Sequence, residues 1–247
     1  MDLAAIVESR EHVCCRYRVR AFLPFLEQAG HTLTIYPRPR TTTGWLRLAS
    51  RLRHTDGIIL QRKVLPVWQL RLLRSHGRFL IYDFDDAIIW RHSSDHGAVP
   101  SRRRQRLFAA AVRLSDCVVA GNAWLADQAR IWRADGLHII PTCVDPNVYP
   151  VARHHRSGAG VELAWIGSSS TLHTLAGAQD MLEMLGERTP ELRLKVICDR
   201  FPEPDPMPMV ACPWSEASET AALASADIGI SWLPNDPWYR GKCGLKV

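Results

Sequence analysis

Apolar positions along the chain alternate between short continuous runs and longer stretches with helical spacing. Short runs bounded by polar or small residues are typical of buried strands, and recurrence every three or four residues is typical of amphipathic helices. In the first 150 residues the runs predict strands at Leu3–Val7, His31–Tyr36, Gly57–Leu60, Phe79–Tyr82, Cys117–Ala120 and Leu137–Ile140. The helical spacing predicts helices between them, at Arg16–Gln28, Trp45–Leu52, Val67–Leu73, Arg102–Leu114 and Trp124–Trp132. This alternation indicates a parallel sheet with right-handed crossovers.

A second pattern of the same kind follows a stretch rich in proline, glycine and histidine. Residues 151–160 of that stretch are predicted to be a linker. Beyond it, strands are predicted at Val161–Ile166, Leu194–Cys198, Met209–Cys212 and Asp227–Leu233, with helices at Thr171–Gly186 and Glu216–Ala226. The pattern therefore predicts an α/β chain of two Rossmann-like domains, at residues 1–150 and 161–247. A doubly wound domain needs more strands than the second part has, so we expect that domain to be incomplete by on the order of 100 residues, at ~30 per βαβ unit.

The junction of the first strand and helix of the second domain carries a candidate anion site. Gly167, Ser168, Ser169 and Ser170 follow the strand directly and open the helix. Small residues let a phosphate approach backbone N–H groups at a helix N-terminus, where the helix dipole favours an anion. The alternative is an ordinary turn between a strand and a helix, which favours the same residue types.

An acidic cluster lies just past a predicted buried strand of the first domain, at Asp83, Asp85 and Asp86. Ligands of open α/β sheets bind at the carboxyl ends of strands, so the position favours a functional site. One of these carboxylates could orient or deprotonate an acceptor hydroxyl. Asp83 and Asp85 could instead hold Mg²⁺ or Mn²⁺ on a diphosphate, or Asp83 could simply cap the next turn.

Four basic residues are candidates for contacts with anions. Lys242 and Lys246 follow a predicted strand end and could neutralise a diphosphate as point charges. Arg16 and Arg18 follow the first strand and could meet an anionic acceptor. The alternative for all four is an ordinary solvated surface.

Charge is unevenly distributed, at +9 in residues 1–150 (22 Lys/Arg against 13 Asp/Glu) and −3 in residues 151–247 (9 against 12). A basic first domain favours an anionic partner such as a phosphorylated substrate or a lipid surface. Nucleic acid is disfavoured, because aromatic residues are not interleaved with the arginines. The seven cysteines, odd in number and without a C-x-x-C pair, indicate a reducing compartment and no zinc site. With no signal peptide or membrane helix in the pattern, we expect a cytoplasmic protein.

Several stretches resemble family 4-type nucleotide-sugar glycosyltransferases of the GT-B fold. The resemblance spans the chain and is carried by CCRYRVRAFLPFLEQAGH at 14–31, FLIYDFDDAIIW at 79–90, VVAGNAWLADQA at 118–129, IIPTCVDPNVYP at 139–150, LAWIGSSSTLHTL at 163–175 and ADIGISWLPNDPWYRGKCGLKV at 226–247. It implies an acceptor domain, then a nucleotide-sugar donor domain, and transfer of a sugar with retention, for synthesis of cell-envelope polysaccharide at the inner face of the membrane.

The same resemblance implies roles for the candidate residues. Gly167 to Ser170, Lys242 and Lys246 would hold the donor diphosphate, Arg16 and Arg18 would lie on the acceptor side, and Asp83, Asp85 or Asp86 would stand near the reacting hydroxyl. Neither a metal nor a cofactor is implied, and the acceptor would be a sugar or a lipid-linked sugar, with peripheral membrane contact. The 247-residue chain is expected to be inactive alone. The alternatives are a metal-dependent GT-A-like transferase using Asp83 and Asp85, and a non-catalytic protein that binds anions or a membrane surface.

Overall fold

The chain forms two compact α/β units, which a computed structural model describes for residues 1–93, 97–151, 160–203 and 207–245. Unit 1 comprises Met1–Cys143 and Asn235–Cys243. Unit 2 comprises the described residues of Val144–Pro234 and Gly244–Val247. The prediction had assigned residues 235–243 to the second domain, whereas they pack with the first.

Unit 1 is built from alternating strands and helices. Its strands are β1 (Asp2–Val7), β2 (Thr32–Pro37), β3 (Gly57–Gln61), β4 (Phe79–Phe84), β5 (Trp90–Ser93), β6 (Gly97–Pro100), β7 (Cys117–Ala120) and β8 (Leu137–Ile139). Its helices up to β8 are α1 (Val13–Arg18), α2 (Leu23–Gln28), α3 (Thr42–Arg51), α4 (Val67–His76), α5 (Arg102–Leu114) and α6 (Ala123–Arg130).

Six of these strands form one parallel sheet in the order β2-β1-β3-β4-β7-β8. The order reverses between β1 and β3, which is the kind of point where open α/β sheets bind ligands. Helices α3, α4 and α5 share one apolar cluster with the sheet, whereas α1 packs into a separate cluster with β1 and β2. Because the strands are parallel, the carboxyl ends of β1, β3, β4 and β7 lie at one edge of the sheet.

Unit 2 repeats the architecture on a smaller scale. Its elements are β9 (Val161–Ile166), α7 (Leu172–Ala176), α8 (Gln179–Arg188), β10 (Leu192–Cys198), β11 (Met209–Pro213), α9 (Glu219–Ala224) and β12 (Ile228–Gly229). The strands form a parallel sheet in the order β11-β10-β9-β12. The chain then continues into α10 (Pro237–Arg240), which belongs to unit 1. The two predicted parallel sheets are thus confirmed.

The predicted helix Arg16–Gln28 is wrong in its bounds, because the structure contains two helices there. The first begins at Val13, capped by the His12 side chain, which accepts a hydrogen bond from the backbone N–H of Cys14. A 3₁₀ turn at Arg20–Phe22 separates the two helices, and Pro24 lies in the first turn of the second. Proline lacks the N–H that a continuous helix would use and is tolerated at a helix start, which explains the break.

Three further differences are confined to single elements. The predicted helix Thr171–Gly186 is divided at Gly177, where the first of its two helices ends. The predicted loop at 91–100 contains the antiparallel pair β5–β6. The predicted strand Asp227–Leu233 is reduced to Ile228–Gly229. Among the helices in the described ranges, none has the length and apolarity that crossing a bilayer would require.

Candidate functional site

The acidic cluster of unit 1 lies at the carboxyl edge of the sheet, as predicted. Asp83 is within β4, and Asp85 and Asp86 follow that strand directly. Three cationic residues converge on them: Arg18 at the end of α1, Arg62 after β3 and Lys242 after α10. The sequence pattern indicated the carboxylates, but neither Arg62 nor the position of Lys242.

Asp83 is held by a multidentate ion pair. The Arg18 Nε atom donates to both carboxylate oxygens, at 3.1 Å and 2.9 Å, and Nη2 donates to Oδ1. The remaining nitrogen, Nη1, donates to the carbonyl oxygen of Ile140 at 2.9 Å and to Thr142 Oγ1 at 3.2 Å. Burial raises the pKa of Asp83, and the guanidinium of Arg18 opposes that rise. Arg18 was predicted on the acceptor side, yet its contacts give it a structural role that fixes Asp83.

Asp86 is neutralised by two cations. Arg62 pairs with Oδ2, and Lys242 Nζ donates to Oδ1 at 2.6 Å. Arg62 has a φ of +64°, a conformation that non-glycine residues seldom adopt, and its N–H donates to the Asp83 carbonyl at 2.6 Å. Such strain persists only where the surroundings impose it, and it concentrates at functional sites. The strained turn brings the Arg62 guanidinium to Asp86.

Asp85 differs from its two neighbours. Its Oδ1 atom is buried and, within the described residues, has no hydrogen-bond partner. Burial raises the pKa of Asp85, and the negative charge of Asp86 raises it further, while the guanidinium of Arg62 opposes both. A partly desolvated carboxylate with a raised pKa and a free lone pair is the type of group that accepts a proton in catalysis.

Metal ligation at this cluster would compete with contacts that its side chains already make. Ligand atoms of Cys14, Asp85 and Asp86 lie within 4.8 Å of one another and could in principle surround an ion. Burial raises the pKa of the Cys14 thiol strongly, and this thiol would have to lose its proton to bind a metal. Asp86 already pairs with two cations. Asp83, the other half of the predicted Asp83/Asp85 metal pair, is occupied by Arg18.

Hydrogen bonds from two side chains to the backbone around α10 position Lys242. Asp236 caps α10 by accepting from the Tyr239 N–H, and the Asn122 side chain donates to the carbonyls of Arg240 and Lys242, both at 3.1 Å. The Lys242 ammonium also lies 5.5 Å from the ring centroid of Trp238. Lys242 thus lies in unit 1 at the acidic cluster, whereas it was predicted at the donor diphosphate.

The segment approaches β4 and β7 closely. A Cβ atom at Gly241 would lie 2.7 Å from the backbone N of Ala87, so the contact requires glycine. Cys243 Sγ lies 3.2 Å from the carbonyl oxygen of Gly121.

The remaining predicted lysine, Lys246, lies outside the described residues. Arg16, also predicted on the acceptor side, places its guanidinium over the ring of Tyr17, at 4.8 Å from the centroid.

The predicted phosphate loop of unit 2 makes internal hydrogen bonds. Ser169 donates from its backbone N–H to Asp199 Oδ1 at 2.6 Å and from its hydroxyl to Oδ2 at 2.7 Å. These bonds lower the pKa of Asp199 to about 2. The Ser168 N–H donates to Thr171 Oγ1 at 3.1 Å, and the hydroxyls of Ser168 and Ser170 lie 2.8 Å apart. A carboxylate of the protein thus occupies the position at which a phosphate was predicted.

Gly167 begins this loop for a steric reason. A Cβ atom there would lie 2.1 Å from the ring of Trp165, so no larger residue fits. Asp199 was missed by the sequence pattern, although it follows the strand Leu194–Cys198 directly. Its position at the carboxyl end of a strand beside β9 is the signal that could have indicated it.

Comparison with solved structures identifies the architecture. MurG of Acinetobacter baumannii aligns with 92% of this chain and 70% of its own, at 11% identity and a TM-score of 0.51. An S. aureus MnaA–UDP structure aligns over 90% of this chain and 71% of its own, at 9% identity and a TM-score of 0.51. An alpha-glucosyltransferase in complex with UDP and DNA aligns over 81% of this chain and 58% of its own, at 12% identity and a TM-score of 0.52.

The chain has the GT-B fold. It spans between 58% and 71% of the length of these three proteins. No protein-family model matches the sequence, and no curated protein matches it closely. The identities are low, so the comparison establishes the architecture and leaves the activity to the chemistry of the site.

Proposed function

We propose that the protein is a glycosyltransferase that transfers a sugar from a nucleotide diphosphate donor to a hydroxyl group of a sugar or lipid-linked acceptor. The observation that carries the proposal is the Asp83–Asp86 cluster. It stands at the carboxyl edge of a GT-B sheet and combines two carboxylates fixed by cations with a third, Asp85, whose Oδ1 has no partner among the described residues. The presence of UDP in two structures of the same fold supports a nucleotide-linked donor.

Asp85 is the group we assign to the acceptor. The bond between the anomeric carbon and the diphosphate oxygen breaks, and the acceptor oxygen bonds to that carbon on the face that the diphosphate leaves, so the configuration is retained. Asp85 accepts the hydroxyl proton, and the nucleoside diphosphate departs. The charge of Asp86 raises the pKa of Asp85 and makes it a stronger base. Arg62 and Lys242 hold the Asp86 carboxylate in place through ion pairs to its two oxygens.

The donor diphosphate is assigned to the loop from Gly167 to Ser170. Binding there requires the Ser169 N–H and hydroxyl to leave Asp199 and to turn to the phosphate oxygens. Lys242 would have to leave Asp86 to bind a diphosphate, so we assign it to the ion pair with Asp86 in unit 1. Fixed N–H groups and cations can stabilise a leaving diphosphate without a metal, and we propose that they do so here.

The finer proposals follow the resemblance of the sequence. They are retention of the anomeric configuration and action in the cytoplasm, at the inner face of the membrane, on a precursor of cell-envelope polysaccharide. Retention is tested by the proton NMR spectrum of the product, in which the anomeric coupling constant distinguishes the two configurations.

The test of the general activity is a panel of UDP-, GDP-, ADP- and dTDP-sugars, incubated with the full product of the gene and with saccharide or lipid-linked acceptors. Release of a nucleoside diphosphate that depends on both one donor and one acceptor is expected. Absence of release from every donor, together with absence of nucleotide binding by calorimetry, would overturn the proposal.

A further inference from the structure

Charged residues follow each of the three strands β1, β2 and β3, which lie side by side in the sheet of unit 1. Glu8 follows β1 directly, Arg38 follows β2, and Arg62 and Lys63 follow β3. The strand order reverses between β1 and β3, and the carboxyl edge at such a reversal is where open α/β sheets bind ligands. Together with His12, which lies between β1 and α1, these four residues are called the switch-point cluster.

Two cations of the cluster share one carboxylate. Lys63 Nζ lies 2.9 Å from Glu8 Oε2, and Arg38 Nε lies 3.8 Å from the same oxygen. The three side chains are between 31% and 36% exposed, so a ligand in solution can reach them. One carboxylate neutralises only one of the two cations. The Nε atom of Arg38 is buried and, among the described residues, has no hydrogen-bond acceptor. Buried N–H groups are nearly always hydrogen-bonded, so this one indicates an acceptor from outside the chain.

His12 and Arg62 bring two hydrogen-bond donors together. His12 Nδ1 accepts from the backbone N–H of Cys14 at 3.2 Å, so the proton of the neutral ring is on Nε2. That nitrogen lies 3.3 Å from Nη1 of Arg62, which can only donate. Burial lowers the pKa of His12, and the charges of Arg62 and Lys63 lower it further, so the neutral ring is favoured. An oxyanion beside His12 Nε2 and Arg62 Nη1 would accept from both.

The cluster adjoins Asp85, the group assigned to the acceptor hydroxyl. The Sγ atom of Cys14 lies within 4.8 Å of carboxylate oxygens of Asp85 and Asp86. The N–H of the same cysteine donates to His12, and Nη1 of Arg62 lies 3.5 Å from its Sγ. A sugar with one hydroxyl at Asp85 would therefore bring its other substituents to the cluster.

We propose that the acceptor carries an acidic group, a carboxylate or a phosphate, which binds the switch-point cluster while the reacting hydroxyl lies at Asp85. The inference rests on the proposed transferase function and names the chemical class of its acceptor. Guanidinium and ammonium groups bind oxyanions through charge-assisted hydrogen bonds, which are about twice as strong as neutral ones. Arg18, which the sequence indicated for contact with an anionic acceptor, is instead held by Asp83.

The experiment compares neutral and acidic sugars as acceptors, with the donor identified by the nucleotide-sugar panel. Glucose and galactose are each compared with the corresponding uronic acid and 6-phosphate, and release of the nucleoside diphosphate gives kcat/KM for each. We expect an acidic sugar to be preferred over its neutral counterpart about 10- to 100-fold, the scale of one hydrogen bond to a charged group. A preference for the uronic acids indicates a carboxylate, and a preference for the 6-phosphates indicates a phosphate.

The variant Arg38→Gln with Lys63→Gln tests the cluster. It should reduce the ratio of kcat/KM for acidic over neutral acceptors to within about threefold of one, because the charged partners of the acidic group are removed. The matched control is Arg40→Gln with Arg47→Gln, which removes the same charge from exposed positions of unit 1. The control should retain the ratio of the wild type.

The ratio separates a contact with the acceptor from a structural role, because a structural defect lowers transfer to both acceptors alike. An unchanged ratio in the Arg38/Lys63 variant would overturn the inference. Equal loss of the ratio in the control would overturn it as well, since only net charge would then matter. Equal kcat/KM of the wild type for neutral and acidic sugars would overturn this inference alone, whereas absence of transfer from every donor would overturn the proposed function together with it.

Discussion

Replacing Arg18 by methionine should reduce the stability of unit 1 by several kcal/mol. Arg18 and Asp83 have side chains that are only 4% and 10% exposed, and the guanidinium donates to both carboxylate oxygens, to Ile140 and to Thr142. Methionine retains most of the apolar stem, so the change removes mainly the charge and its hydrogen bonds. Breaking a buried ion pair on one side costs about 3–5 kcal/mol, because the remaining charge stays buried without a partner.

Two variants serve as controls, one at Asp83 and one at an exposed ion pair. Arg18→Met combined with Asp83→Leu removes both charges, so the double variant should recover most of the loss. Arg130→Ala, which breaks the exposed pair with Asp127, should cost about 1 kcal/mol or less. Equilibrium unfolding in urea, followed by tryptophan fluorescence, measures all of these differences.

The dependence on pH gives an independent check. Without Arg18, burial and the negative charge of Asp85 act on Asp83 unopposed and raise its pKa further above the unfolded value. The folded state then binds a proton more readily than the unfolded state, so the stability of the Arg18→Met variant falls as pH rises through that raised pKa. The deficit relative to wild type should therefore be smaller at about pH 5 than at about pH 8. A loss below about 1 kcal/mol, or a deficit that grows as pH falls, would refute the structural role of Arg18.

Three other expectations follow from the same contacts. Asp199→Asn should tighten UDP binding about tenfold, the scale of one charge-assisted hydrogen bond, because the loop loses its internal anion. Calorimetry measures the affinity, and an unchanged value would place the diphosphate elsewhere. Transfer should persist in EDTA, and complete loss that Mn²⁺ restores would favour a metal on the carboxylates. Iodoacetamide should label the exposed Cys143 well before the buried Cys14, because burial raises the pKa of the Cys14 thiol. Mass spectrometry after a short exposure to the reagent shows the order of labelling, and early labelling of Cys14 would contradict its burial.

The sequence was most informative about the strands and about the edge of the sheet that carries the site. Continuous apolar runs such as Leu3–Val7 and Phe79–Tyr82 depend only on burial, which local composition encodes. The carboxylates after β4 were indicated for the same reason, since they follow such a run. Helix bounds were less predictable, because Pro24 and Gly177 divide stretches whose apolar spacing is continuous.

The partners within the site were not predictable from local pattern. The Arg62 side chain reaches Asp86 through a turn with positive φ, which arginine does not favour by itself. Lys242 reaches the same carboxylate across 156 positions of sequence, a tertiary contact with no local signature. The loop at Ser169 shows the converse, since its composition indicated an anion, and the anion present is the carboxylate of Asp199.

The most direct test of the account is the effect of Asp85→Asn on sugar transfer at saturating donor. Asparagine retains the size of the side chain but cannot accept the hydroxyl proton. We predict a rate about 10²–10⁴-fold lower, with unchanged affinity for the nucleoside diphosphate and an unchanged unfolding midpoint. Asp127→Asn, at an exposed position on α6, should leave the rate unaltered. A rate within about threefold of wild type for Asp85→Asn would contradict the assignment of Asp85 as the group that accepts the proton.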